Sequence, residues 1–101
     1  MNPLDLVKLS TLMERTAGNP RVVVALLDGP VNMRHPELAE AKIQVIGESQ
    51  GSSCDAEGST ACRHATFIAG ILCARRGSTA PAICPNCTLL VRPIFRGADG
   101  P

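Results

Sequence analysis

The chain has 101 residues, with ten Lys and Arg against nine Asp and Glu, for a formal net charge of +1. That balance excludes a nucleic-acid surface as the main function, because phosphate neutralisation needs clustered excess cations. An apolar content of 45% excludes an intrinsically disordered chain, and with Phe67 and Phe95 as the only aromatics, base-stacking platforms and aromatic cages are excluded too. The length suits one domain or part of one.

Asn2-Pro3 reads as an N-cap followed by Pro at the first helical position. Leu6, Leu9, Leu12 and Met13 then recur at helical spacing as far as Gly18, predicting one short amphipathic helix. Asn19-Pro20 is a turn, so residues 1–20 form an N-terminal helix-and-turn segment. The run Arg21-Val22-Val23-Val24-Ala25-Leu26-Leu27 predicts a strand buried on both faces and central in a parallel sheet. Asp28-Gly29-Pro30 ends it. Residues 29–42 contain Pro30 and Pro36 and read as a loop with one helical turn near Leu38.

Lys42–Ile46 is a second short strand, and residues 47–62 are a Gly/Ser-rich acidic loop. His64–Ala74 has helix-forming composition, with Phe67, Ile68, Ile71 and Leu72 as its apolar face. Arg75-Arg76 suit the negative end of the helix dipole, and Gly77 stops the helix. Thr88–Val91, continuing toward Phe95, is a third buried strand. Strand, loop, strand, helix, strand is the order of an α/β parallel sheet. No repeat is present.

The N-terminus has no basic n-region and no apolar h-region, since Asp5, Lys8 and Glu14 interrupt it. No stretch approaches the roughly 18 apolar residues of a transmembrane helix, so no membrane partner is expected. The cysteines are Cys54, Cys62, Cys73, Cys84 and Cys87. An odd count without a secretion signal predicts reduced thiols in a cytoplasm. In an oxidising setting, Cys54–Cys62 and a pair involving Cys84 or Cys87 are the bridges to expect.

Two residues occupy positions where such folds carry chemistry. Asp28 stands at the carboxyl end of the most apolar strand, the ligand-facing edge of an open α/β sheet. His64 opens a helix directly after a Gly-rich loop. A buried carboxylate bonded to imidazole Nδ1–H fixes the tautomer, stabilises imidazolium and leaves Nε2 as a base, two-thirds of a Ser-His-Asp device. Taken alone, Asp28 is equally compatible with a turn residue or helix cap, and a lone His at a helix start is more often structural than catalytic.

Four segments together resemble the subtilisin-like serine proteases, the subtilases. Val22–Val31 is similar to the family's apolar strand ending in Asp-[Thr/Ser]-Gly, and His35-Pro36-Glu37-Leu38 to the His-Pro-x-Leu that follows it. His64-Ala65-Thr66-Phe67-Ile68-Ala69-Gly70 resembles His-Gly-Thr-x-Val-Ala-Gly. Ala82–Val91 resembles the Val-Ala-Pro-x-Ala-x-Leu stretch leading into the next strand. The segments occur in family order across residues 22–91. Cys84-Pro85-Asn86-Cys87 within the last is similar to the branch that matures ribosomally made peptides, the cyanobactin-type proteases.

The resemblance implies a partial subtilisin-like three-layer α/β fold, with residues 21–101 as the first part of a catalytic domain. It implies Asp28 as the orienting acid, His64 as general base and acid, and His35 as a structural turn residue. Gly70 is expected to permit close helix packing where a Cβ would meet the neighbouring strand. The sequence departs from the pattern in two places. Gly29 follows Asp28 directly where Thr or Ser usually intervenes, and Ala65 replaces the glycine after the histidine. The family's serine motif, Gly-Thr-Ser-x-Ala-x-Pro, and its oxyanion asparagine are expected in further chain. Gly77-Ser78-Thr79-Ala80-Pro81 is only superficially similar to that motif and reads as a turn.

The expected partners are therefore a peptide or protein substrate and the chain carrying the serine, with no cofactor required. A second reading is a non-catalytic module that binds peptides along a strand edge. Cys84-x-x-Cys87 precedes a strand rather than opening a helix, which argues against thioredoxin-like catalysis. A zinc site using these cysteines with Cys54, Cys62 or His64 lacks the spacing of a second Cys-x-x-Cys.

Overall fold

The computed structural model describes residues 3–47, 54, 60–78 and 80–95. Asn2 and most of the Gly/Ser-rich loop assigned to residues 47–62 lie outside the described residues.

The N-terminal segment is two short helices, α1 (Pro3–Leu6) and α2 (Ser10–Arg15), rather than the single one expected. Leu9 N–H donates to Leu4 O at 2.8 Å and Lys8 N–H to Asp5 O at 3.0 Å, the paired bonds of a Schellman ending. Lys8 occupies the left-handed position with φ 63°, where glycine usually sits. A lysine there carries no sequence signal of a stop, and for that reason the periodicity alone misleads. Met13 is buried, whereas Leu6 and Leu12 are exposed.

Strand β1 (Val23–Asp28), a 3₁₀ turn (Pro36–Leu38), β2 (Lys42–Val45), α3 (Thr60–Cys73) and β3 (Thr88–Pro93) complete the order. The sheet is parallel throughout, in the order β1-β3-β2. Val23 stands opposite Thr88, Asp28 opposite Pro93, and Lys42 opposite Thr88 on the other side. The α/β parallel class is therefore as expected.

The central strand is β3, not the Val22–Leu27 run. Leu89 and Val91 of β3 are fully buried beneath α3, while Val23 and Leu27 of β1 are 53% and 61% exposed. Val24 and Leu26, on the opposite side of β1, pack against the core. Side chains alternate across a strand, so a continuous apolar run cannot show that only one face is covered among the described residues. Fully burying Leu89 and Val91 stabilises the fold by about 1.5–3 kcal/mol each.

Helix α3 starts at Thr60, one turn earlier than expected, and buries a face of small residues. Ala61, Ala65, Ala69 and Cys73 recur every four positions and are almost wholly inaccessible. The larger Phe67 and Ile71 are exposed instead, which corrects half of the expected apolar face, while Leu72 packs against the core and Ile68 is half-buried. Small side chains let the helix axis approach the sheet closely; bulky ones would hold it off. The expectation for Gly70 is also corrected: a Cβ built there meets no atom within 4 Å.

Arg76 ties the N-terminal segment to the rest. Its guanidinium donates to Met13 O at 2.6 Å, Thr16 O at 2.9 Å, Ala82 O at 2.7 Å and Ile83 O at 3.1 Å. Thus it acts through four specific carbonyls rather than through the dipole of α3. Arg76→Ala is expected to lower stability by about 2–4 kcal/mol in urea unfolding, given charged hydrogen bonds of roughly 1.5–3 kcal/mol each discounted for partial exposure. Arg76→Lys should recover less than half of that loss, because one ammonium cannot span a planar fork.

Burial, reinforced by the nearby Cys84 and Cys87 thiols, pushes the Cys73 thiol up to about 11 from an ordinary 9.0. The folded state thus holds this proton more tightly than the unfolded chain. Its contribution is intact below pH 9 and is lost as pH rises toward 11. Urea midpoints measured across that interval should fall less steeply for Cys73→Ala than for the parent; equal slopes would refute the assignment.

Candidate active site

Asp28 closes β1 and is 8% exposed, the only buried charged residue among those described. Its main chain is fixed to β3, since Ile94 N–H donates to Asp28 O at 2.7 Å. Its carboxylate Oδ1 accepts from Gly29 N–H at 2.6 Å. His64 Nδ1 lies 2.9 Å from Oδ2 and 3.1 Å from Oδ1 of the same carboxylate. The two residues singled out in the sequence are therefore in direct contact.

The imidazole is 52% exposed while the carboxylate is almost enclosed. In the neutral tautomer whose Nδ1–H donates to the carboxylate, Nε2 on the opposite edge of the ring carries the free lone pair of a proton acceptor. His64 sits in the second turn of α3, not at its start as expected. The reason is local: the first turn is consumed in bringing Ala61 against Gly29. A Cβ on Gly29 would lie 2.5 Å from Ala61 O, 2.8 Å from its carbonyl carbon and 2.9 Å from its Cβ. Residues three apart are neighbours on a helix, so this contact brings His64 beside Asp28.

Thr66, two residues on from His64, accepts Asn32 N–H at 2.8 Å and pins the loop after β1 to α3. Sequence reasoning did not single out Thr66 for this role. Cys54 and Cys62 are joined by a disulfide with Cα atoms 5.4 Å apart, whereas Cys73, Cys84 and Cys87 carry free thiols. The expectation of reduced thiols is corrected for Cys54 and Cys62, which form the bridge the sequence offers for an oxidising setting. Cys62 lies in the first turn of α3 close to Cys54 in space, which makes that pairing geometrically accessible.

His35 stands apart from the pair. Its Nδ1 accepts Glu37 N–H at 3.1 Å and caps the 3₁₀ turn, so it has the turn role expected of it. The methyl of Ala65 is fully buried in the core rather than set against solvent beside the imidazole. A cleft of about 1340 Å³ lies nearby between the 30–35 loop and the outer face of α3, lined in part by Met33, Arg34, Phe67, Gly70 and Ile71. Neither Asp28 nor His64 lines it. Among the described residues no group of three or more His, Cys, Asp or Glu could hold a metal ion, and no helix is long and apolar enough to cross a membrane.

The parallel sheet and the helix packed on it match solved subtilisin-like protease domains, and that similarity supports a protease-related α/β unit. The solved structures similar to it include cyanobactin maturation proteases. A mutant protease domain of PatA matches with a TM-score of 0.76 and 29% identity, over 84% of this chain and 30% of that one. The prenylagaramide maturation protease PagA matches with a TM-score of 0.68 and 31% identity, over 86% of this chain and 28% of that one. The PatG macrocyclase domain shares the fold, with a TM-score of 0.71, at 17% identity over 92% of this chain and 44% of that one. The chain therefore spans less than a third of the PatA and PagA chains it matches. No protein-family model and no curated protein matches it.

Gly29→Ala is expected to cost about 1–3 kcal/mol through overpacking against a backbone carbonyl that cannot move aside. The same change should abolish the low-field Nδ1–H resonance of His64 in proton NMR. An unaltered resonance together with an unaltered melting temperature would show that the close approach does not hold the pair together.

Proposed function

We propose that Asp28 and His64 are the acid and the base of a Ser-His-Asp triad in a subtilisin-like serine endopeptidase. Residues 21–101 then form the first part of its catalytic domain, with the serine and the oxyanion donors in further chain. The observation that carries this reading is the 2.9 Å contact between a buried carboxylate and Nδ1 of a half-exposed imidazole. In the proposed reaction Nε2 of His64 takes the serine hydroxyl proton during attack on the scissile carbonyl and returns it to the leaving amine. Asp28 holds the ring in the required tautomer and stabilises the transient imidazolium without itself being protonated.

A peptide substrate is part of the proposal. PatA and PagA are maturation proteases, and the PatG macrocyclase has been solved in complex with peptide. Without the family's Gly-Thr-Ser-x-Ala-x-Pro serine and its oxyanion donors, residues 1–101 alone would not hydrolyse peptides at triad rates. A cytoplasmic location belongs to the same reading: the free thiols of Cys73, Cys84 and Cys87 support it and the Cys54–Cys62 bridge weighs against it. A second reading, a non-catalytic peptide-binding module, is favoured by β1, which pairs only with β3 among the described strands and so leaves one edge open to an added strand.

A fluorophosphonate probe applied to the protein with its serine-bearing chain separates the two. The protease reading expects labelling that disappears in His64→Ala. It also expects Asp28→Asn to lower kcat on a peptide substrate on the order of 10⁴-fold while the fold is retained. No labelling of the complete, folded protein would sink the protease reading.

A further inference from the structure

Away from the Asp28–His64 pair, three thiols gather where α3 hands over to β3. Cys73 ends the helix, and Cys84 and Cys87 bracket the turn that leads into the strand. None of the three is in a disulfide. Cys87 N–H donates to Cys84 O at 3.1 Å, closing the chain over Pro85-Asn86. A β-turn of this kind holds its first and last Cα atoms within about 7 Å, close to the 4–7 Å or so over which disulfides form.

The two side chains also converge on one neighbour. A Cβ placed on Gly18 would lie 3.3 Å from Cys84 Cβ and 2.5 Å from Cys87 Sγ. Gly18, at φ +93°, leaves the space that the Cys87 sulfur fills. The three thiols are not equivalent. Cys73 and Cys87 are buried and Cys84 is partly exposed. Burial and the Cys87 side chain push the Cys84 thiol up on balance, and the Arg76 guanidinium beside it offsets part of that rise.

We propose that Cys84 and Cys87 are a reversible redox pair, a site at which a small-molecule disulfide of the glutathione type oxidises two thiols to a bridge within the turn. The Cys84 thiolate attacks one sulfur of the oxidant, forms a mixed disulfide and expels one thiolate. Cys87 then attacks the Cys84 sulfur, forming the Cys84–Cys87 bond and expelling the second. The two protons lost by the cysteines end on the two expelled thiols, so one disulfide is consumed for each one made. Cys73 stays a thiol, being buried and protonated at neutral pH.

The turn is anchored at each end. Cys84 N–H donates to Leu72 O at 3.0 Å, Asn86 N–H to Ala17 O at 2.8 Å, and Thr88 N–H to Val22 O at 3.0 Å. Closure of the bridge would therefore stiffen the joint between α3, the segment before β1 and the start of β3. This inference does not rest on the protease reading, because neither Asp28 nor His64 takes part.

The test is equilibration of the full chain in glutathione buffers of graded redox poise, followed by acid quench, alkylation and peptide mass mapping. Oxidising buffer should yield a Cys84–Cys87 bridge, and Cys73 should be alkylated only after denaturation. Cys87→Ser should accumulate the glutathione mixed disulfide on Cys84 at least tenfold over the parent. Cys84→Ser, at the partly exposed position, provides a second variant should Cys87→Ser not fold; it should leave Cys87 unmodified. Two free thiols at every poise would overturn the proposal. So would a bridge to Cys73, or modification of Cys87 in Cys84→Ser as fast as that of Cys84 in the parent.

Discussion

The close approach of Gly29 to the carbonyl of Ala61 is the constraint on which the candidate site depends. A side chain at position 29 would need space already occupied by backbone. Main chain cannot rotate away as a flexible side chain can. With that contact made, the strand end carrying Asp28 and the helix carrying His64 are locked together, and the carboxylate reaches Nδ1 at 2.9 Å. The departure from the family pattern at this point, glycine directly after the aspartate, thus has a physical reason in this chain. It coincides with the close approach of the residue after β1 to the backbone of α3.

Everything around the contact supports the same closeness. Alanines at positions 61, 65 and 69 present almost no side chain to the sheet. The carboxylate that faces the histidine also receives Gly29 N–H on Oδ1, so the buried charge is held by two donors rather than one. Burying a carboxylate without such partners costs several kcal/mol. Asn32 bonded to Thr66 closes the loop over the same helix. The parallel sheet adds the remaining restraint by fixing the direction in which Asp28 leaves β1, because Ile94 binds its carbonyl from the end of β3.

A second region of the molecule is organised by Arg76 rather than by apolar burial. Its guanidinium joins carbonyls from α2 and its C-terminal flank to those before β3. The thiols of Cys73, Cys84 and Cys87 lie beside this joint. The N-terminal helices bury little apart from Met13. Their position therefore rests on directional hydrogen bonds, which a sequence cannot reveal when donor and acceptor are some sixty positions apart.

From the sequence alone, the alternation of apolar β-branched runs with a helical segment determined the α/β class, the three strands and the candidacy of Asp28 and His64. Those features follow from local pattern and from a chain order that a parallel sheet imposes. Tertiary structure alone decided that β3 and not β1 is central, that α3 buries its alanines rather than Phe67 and Ile71, and that Lys8 breaks the first helix. It also decided that Gly29, not Gly70, is the glycine required by packing. Each outcome depends on how near two backbones come. That distance is set by pairs of residues remote in sequence, whereas periodicity reports only which side chains share a face.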